Sequence, residues 1–371
     1  MKRKHWFIRI LSFFAIFSFL LNCVCYGSAV REDSKATLEE VLDSFEFATE
    51  EQKDAFKFIC ESAEVSLPER LGTQELLQLV ASTQGRFVNR ADKQERWDTK
   101  DLSWMANNVE SLNKKFADLG LVDAVFHGFR QHASPYCTQY DAVCILGARK
   151  SEMEKRIKSV ERLVKEEGHF FNWVVLLTGA RPATVGVDGT MEEIAEIAQF
   201  FSIESSEVTE AHIFKYLYEK SLLNKDKLKF LVIDTPAKDG RRPTTQTTVE
   251  DFCLWLNAHP GKIDQALFIS SQPYVAYQMA IVEEILQQNN SNLGFRVAGD
   301  VFVPGNNSVK TLAGALGSYI WAEMPNCLRH FGLKIKTDEE LTLAKRLYGH
   351  MSWLYKSLPF AQVSSGAADK A

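Results

Sequence analysis

The chain has 371 residues, with 43 Lys and Arg against 48 Asp and Glu, so its net charge is −5. Hydrophobic residues make up 46% and charged residues 25%, the composition of a folded globular protein. That excludes a disordered chain, a collagen, a small disulfide scaffold and a polytopic membrane protein, and the mild acidity without a basic stripe argues against a nucleic-acid partner.

The N-terminus reads as a targeting segment. Lys2, Arg3 and Lys4 precede the apolar run Ile10 to Leu21, and the small residues Gly27, Ser28 and Ala29 follow. A basic, apolar, small-residue order is that of a secretory signal, with cleavage after Ala29. An uncleaved inner-membrane anchor over residues 6–25 is the alternative, since a span needs about 20 residues. A lipoprotein cysteine at Cys23 is a third reading, with Asn22 an unusual residue before it. All three place the body outside the cytoplasm, periplasmic or exported. The four basic residues removed with 1–29 would take the net charge from −5 to −9. Of the cysteines beyond this segment, Cys60, Cys137, Cys144, Cys253 and Cys327, no two form a CxxC. Cys144, in a strand-like run, and Cys253, on an apolar helix face, read as small buried hydrophobes.

Residues 37–130 read as a helical region. Leu38, Val41, Leu42, Phe45 and Phe47 start one amphipathic run, and Phe56, Ile59 and Cys60 continue it. Leu76, Leu77 and Leu79, then Leu102, Met105, Val109 and Leu112, mark two more helices around a polar loop from Arg86 to Lys100.

From about residue 136 the pattern changes. Apolar runs at Ala142–Leu146, Val174–Leu177, Phe230–Ile233 and Ala266–Ile269, with a weaker one at Arg296–Val303, alternate with helical periodicities. Runs that are apolar throughout suit strands buried on both faces of a parallel sheet. The helices fall at Met153, Ile157, Val160 and Val164; at Ala211, Phe214 and Leu217 or Tyr218; at Val249, Phe252, Cys253 and Leu256; and at Val275, Met279, Val282 and Leu286. An added helix covers Met191–Phe201. This grammar predicts an α/β fold, a doubly wound, mostly parallel, Rossmann-like sheet over 136–305, with C-terminal helices over 306–371 packing back on it.

Ligands of such sheets bind beyond the carboxyl ends of the strands. There stand Gly147, Ala148 and Arg149; Thr178, Gly179, Ala180 and Arg181; Asp234 and Thr235; and Ser270, Ser271 and Gln272. Glycines let backbone N–H groups approach an anion, and arginines offer a planar fork for phosphate or carboxylate. Tight turns and solvated arginines are the plainer alternative. Thr247 with Glu250 three residues on reads as a capping box that starts the next helix. No GxGxxG, P-loop, HExxH or GxSxG occurs, so no metal site is expected and no cofactor is assigned. Asp300, after the last run, is one further candidate carboxylate.

The order of these motifs over about residues 139–303 resembles the SanA/ElyC/YdcF-like family of bacterial envelope proteins, whose biochemical function is unknown. Ile145-Leu146-Gly147 matches its strand ending in Leu-Gly, and Arg156 its helical arginine. Thr178-Gly179-Ala180 stands for Ser-Gly-Gly, and Glu210-Ala211 for its Glu-Ala pair. In Thr245-Gln246-Thr247-Thr248-Val249-Glu250-Asp251 the threonine and the glutamate of its Ser-x-Asn-Thr-x-Glu-Asn segment remain, while Thr247 and Asp251 replace asparagines. Ser271-Gln272-Pro273-Tyr274-Val275-Ala276-Tyr277 has Tyr274 in place of a histidine and Tyr277 in place of an arginine. A tyrosine, with a pKa near ~10, is a poor base at neutral pH.

The resemblance implies a Rossmann-like fold, with Gly147, Arg156, Thr178, Gly179, Glu210, Thr247, Thr248, Glu250, Ser271, Tyr274 and Tyr277 in or near a ligand site, and a role in envelope physiology. Its suggested association with S-adenosylmethionine in one branch is not carried over to an exported domain. The expected function is binding of an anionic small molecule, phosphorylated or nucleotide-like, in cell-wall or envelope biogenesis. Arg149, Arg156 and Arg181 would hold the anion, Glu250 or Asp234 would handle protons, and Ser270 would orient the ligand. The alternative is a non-catalytic binding or scaffolding protein that uses its helical N-terminal region.

Overall fold

The computed structural model describes residues 35–88, 103–106, 108–122, 125–128, 138–237, 243–305, 308–349 and 357–360. The expectations for residues 1–29, for residues 89–100 of the polar loop and for Leu102 lie outside them. The chain forms two units by its contacts: Met1–Ser44 with Pro68–Gln78 and Pro325–Ala371, and Phe45–Leu67 with Leu79–Met324.

In the first unit a short antiparallel ladder joins β1 (Ala36–Thr37) to β2 (Arg70–Leu71), with Ala36 opposite Leu71. Helix α1 (Leu38–Ser44) follows β1 and buries Val41 and Leu42. Phe45 and Phe47, expected on this helix, lie beyond it, where Glu46 takes a left-handed φ of 61°. In the second unit α2 (Glu50–Ser62) starts at a Thr49–Gln52 capping box and buries Phe56, Ile59 and Cys60. Helix α3 (Thr73–Thr83) begins in the first unit and ends in the second, and short α4 (Ser103–Ala106) and α5 (Val109–Asp118) follow.

The second unit holds the α/β fold. Its sheet has the order β3 (Val125–Gly128), β8 (Gly294–Gly299), β7 (Gln265–Ile269), β4 (Gln139–Leu146), β5 (Phe170–Gly179) and β6 (Lys229–Thr235). Strands β4 to β8 are mutually parallel and correspond to the apolar runs. β3 runs antiparallel to β8, within the stretch read as helical. The last strand stops at Gly299 rather than Val303, and Val301 and Val303 are exposed. Helices α6 (Lys150–Lys165) and α8 (Glu210–Lys220) pack together on one face, with α7 (Met191–Phe201) against α8. On α6 the buried Met153, Arg156, Ile157, Val160 and Leu163 recur at helical spacing and form one face. Helices α9 (Thr245–Ala258) and α10 (Val275–Gln288) cover the other face, where Phe252 meets Phe268 at 6.2 Å. Cys144 and Cys253 are buried and in no disulfide, as are Cys60 and Cys327.

The fold is therefore a doubly wound, Rossmann-like α/β sheet. The chain steps outward from β4 to β5 to β6, then returns through α9 to lay β7 on the opposite side of β4. The strand order thus reverses between β4 and β7, and ligands of such sheets bind beyond the carboxyl ends of the strands at that reversal. The chain closes with α11 (Ser308–His330) and α12 (Asp338–Tyr348), the latter capped by Thr337 and Glu340. Among the described residues no helix is long and apolar enough to cross a membrane.

Candidate functional site

The reversal point is lined by the first turns after β4 and β7. The last registered pair is Ile145 with Ile269, so Gly147 and Ser271 flank the opening just beyond it. Arg156 reaches across from α6. Its Nε donates to Ser271 Oγ at 3.0 Å, and one terminal nitrogen donates to the carbonyls of Leu146 at 2.6 Å and Gly147 at 3.0 Å. The guanidinium is buried, and burial lowers its pKa to about 10, with Glu152 and Glu210 opposing the shift. Arg156 thus ties the two turns together. Burial also acts on Glu152, but Lys155, Arg156 and the Ser271 hydroxyl outweigh it and hold the carboxyl below its ordinary range.

One strand along, at the end of β5, lies a second cluster. Glu210 opens α8 and is buried, with Oε1 accepting from the Gly179 N–H at 3.3 Å and Oε2 from Arg181 Nε at 3.1 Å. Burial raises its pKa against the pull of Arg181. The outer nitrogens of Arg181 grip fully buried Asp188 in a two-pronged pair, at 2.6 and 2.8 Å. Asp188 also accepts the Thr184 N–H at 3.0 Å. The hydrogen bond to Asp188 raises the Arg181 pKa further. Both turns require glycine: a Cβ on residue 147 would overlap Glu210 Oε1, and one on residue 179 would lie 2.5 Å from Pro243 Cβ.

The structure thus gathers Gly147, Arg156, Gly179, Arg181, Glu210 and Ser271. Thr178 is buried beside them and donates to Asp234 at 3.4 Å. Arg149 is the exposed N-cap residue of α6, and its side chain makes no cap hydrogen bond. Ser270 is 2% exposed, and its hydroxyl has no hydrogen-bond partner. Tyr274 and Tyr277, half-buried, stand at the start of α10.

The α9 residues are engaged elsewhere. The capping box is Thr244 with Thr247, three residues earlier than Thr247 with Glu250, because the helix starts directly behind Pro243. Thr247 exchanges hydrogen bonds with the Thr244 backbone, Thr248 donates to Thr245 O at 2.9 Å, and Glu250 accepts from Gln246 at 2.8 Å. Asp300 is held by Ser159 and, at 2.5 Å, by Arg162. Sequence reasoning missed Asp188, whose pairing with Arg181 no local pattern announces. It also passed over Gln278, whose buried Oε1 has no partner while its amide nitrogen donates to Thr245 Oγ1 at 3.3 Å.

The fold and this edge define a Rossmann-like α/β protein with its polar groups concentrated where such sheets take ligands. The chain matches no protein-family model, no curated protein and no solved structure.

Proposed function

We propose that this chain is a cell-envelope protein that binds an anionic small molecule, phosphorylated or nucleotide-like, at the carboxyl edge of its sheet, in keeping with the SanA/ElyC/YdcF-like family it resembles. The observation that carries the reading is the pairing of two features at the β4–β7 reversal. The 16-residue helix α6 begins there at Arg149, whose side chain makes no cap hydrogen bond, and just beyond β7 the buried Ser270 hydroxyl lacks a partner. An uncapped first turn offers N–H groups and the positive end of the helix dipole to an anion. A buried hydroxyl without a partner costs roughly 1–3 kcal/mol, which a ligand oxygen would offset.

Arg149, the exposed N-cap residue of α6, would meet such a ligand from the solvent side. Arg156 and Arg181 serve it indirectly, since their hydrogen bonds go to the chain itself. Thermal-shift titration of residues 30–371 with nucleotides, sugar phosphates and pyrophosphate tests the reading, with Arg149→Ala and Ser270→Ala alongside. A saturable shift lost in both variants supports it, whereas binding that ignores both variants, or no binding to the folded wild type, removes it. The envelope location rests on the N-terminal pattern of basic, apolar and small residues. Fractionation with N-terminal sequencing tests it: a chain beginning at Val30, or a full-length chain in the membrane, supports export, and a full-length soluble cytoplasmic chain overturns it. The scaffolding alternative would draw on an exposed apolar patch in the helical region; among residues 37–88, 104–106 and 108–122 every large aliphatic or aromatic side chain is buried or half-buried.

A further inference from the structure

We propose that the end of β5 is a built oxyanion seat, filled in this structure by the chain's own Glu210, and that an external carboxylate or phosphoryl group competes with Glu210 for it. The inference goes beyond the reading above, which places a ligand anion at the first turn of α6, and it stands whether or not that reading does.

Three observations carry it. The donors are those an anion site is made of: a strand-end glycine N–H, from Gly179, and a guanidinium edge, from Arg181. Both converge on one carboxylate, one on each oxygen. The guanidinium is held from behind by the two-pronged pair with Asp188, so Arg181 keeps its position whether or not the seat is filled. The opposite wall is the Gly147 turn, where a Cβ would overlap Glu210 Oε1; the space for the carboxylate is made by the absence of a side chain. A glycine wall, a backbone donor and a pre-held arginine form a container for a carboxylate-sized group. Glu210 enters from the first residue of α8, so it swings on its own side-chain torsions and its departure breaks no helical hydrogen bond.

While Glu210 remains, the carboxylates outnumber the cations by one: Arg156 and Arg181 face Glu210, Asp188 and Glu152. An incoming anion therefore meets the cluster as a competitor of an internal carboxylate, whose tethering gives it a high effective concentration.

The experiment compares wild type, Glu210→Ala and the double variant Glu210→Ala/Arg181→Gln, titrated at neutral pH with acetate and with inorganic phosphate at constant ionic strength, by calorimetry and thermal shift. Glu210→Ala is expected to bind one or both ions saturably and to regain stability as it does. Wild type is expected to bind the same ion at least about tenfold more weakly, and the double variant to lose the gain. Acetate alone identifies a planar carboxylate seat, and phosphate alone or in addition a phosphoryl seat. Folded Glu210→Ala that binds neither ion, equal binding by wild type, or equal binding by the double variant overturns the proposal. Should Glu210→Ala not fold in chloride, refolding is read instead: recovery in acetate or phosphate at matched ionic strength supports the seat, and no recovery in either refutes it.

Discussion

Glu210 and Gly147 are complementary in shape: the carboxylate of the one occupies the space that a Cβ on the other would fill. They lie far apart in sequence, one opening a helix and the other closing a strand turn. Gly147→Ala is therefore expected to destabilise by roughly 1–3 kcal/mol through overpacking. The Leu177 carbonyl, 2.9 Å from the added carbon, contributes a share that Glu210 does not. A double-mutant cycle with Glu210→Ala, read by urea denaturation, is expected to give a coupling of at least about 0.5 kcal/mol. Additive effects would mean that the two residues do not share the space.

Ser270 makes an opposite prediction. Its hydroxyl is buried without a partner, so Ser270→Ala removes no hydrogen bond. Stability is expected to stay level or to rise by up to about 1 kcal/mol. A loss of more than about 1 kcal/mol in chemical denaturation would show that the hydroxyl is structurally engaged.

Arg156 is expected to behave as a tie. Arg156→Met strands the acceptors at Leu146 and Gly147 and frees Ser271, a loss of about 2–4 kcal/mol. Arg156→Lys keeps the charge without the fork and should recover only part of it. Equal stability of the two variants would show that charge alone matters at this position.

The pH dependence has a stated sign. Burial lowers the His169 pKa, with Glu167 opposing, and the ring stacks with Tyr140 at 6.1 Å and Phe171 at 6.2 Å. The unfolded chain then binds the proton more readily. The stability gained from neutral His169 is present above about pH 6.5 and is lost as pH falls through the lower folded value. His169→Phe should shrink the drop in urea midpoint between about pH 7.5 and pH 5.5. Because burial also lowers His212, part of the drop is expected to remain. An unchanged drop in the variant would assign the effect elsewhere.

The parallel sheet was legible because Val143 and Cys144, Val174 and Val175, and Leu267 and Phe268 are all buried, and burial on both faces leaves an uninterrupted apolar run. β3 was not, since Val125-Phe126-His127-Gly128 is too short to separate from a helical stretch by periodicity. The end of β8 was overread because Val301 and Val303 are apolar yet exposed. In the site, strand ends pointed to Gly147, Gly179 and Arg181, which do come together. Asp188 was invisible because its place depends on how the loop after β5 folds back, as Gly186 donates to Gly189 O at 2.8 Å. The α9 cap was misplaced by three residues because Thr244 and Thr247 are both good N-cap residues, and only the chain ahead of them decides between the two.

The antiparallel return of β3 bears on how this sheet is made during synthesis. Val125 pairs with Gly299 and Gly128 with Arg296, so one outer strand emerges early from the ribosome and its partner emerges late. β7 likewise waits for β8, which follows it directly. A nascent chain halted before Gly294 holds β7 as an open hydrophobic margin and β3 with nothing to join, a species prone to self-association and to proteolysis.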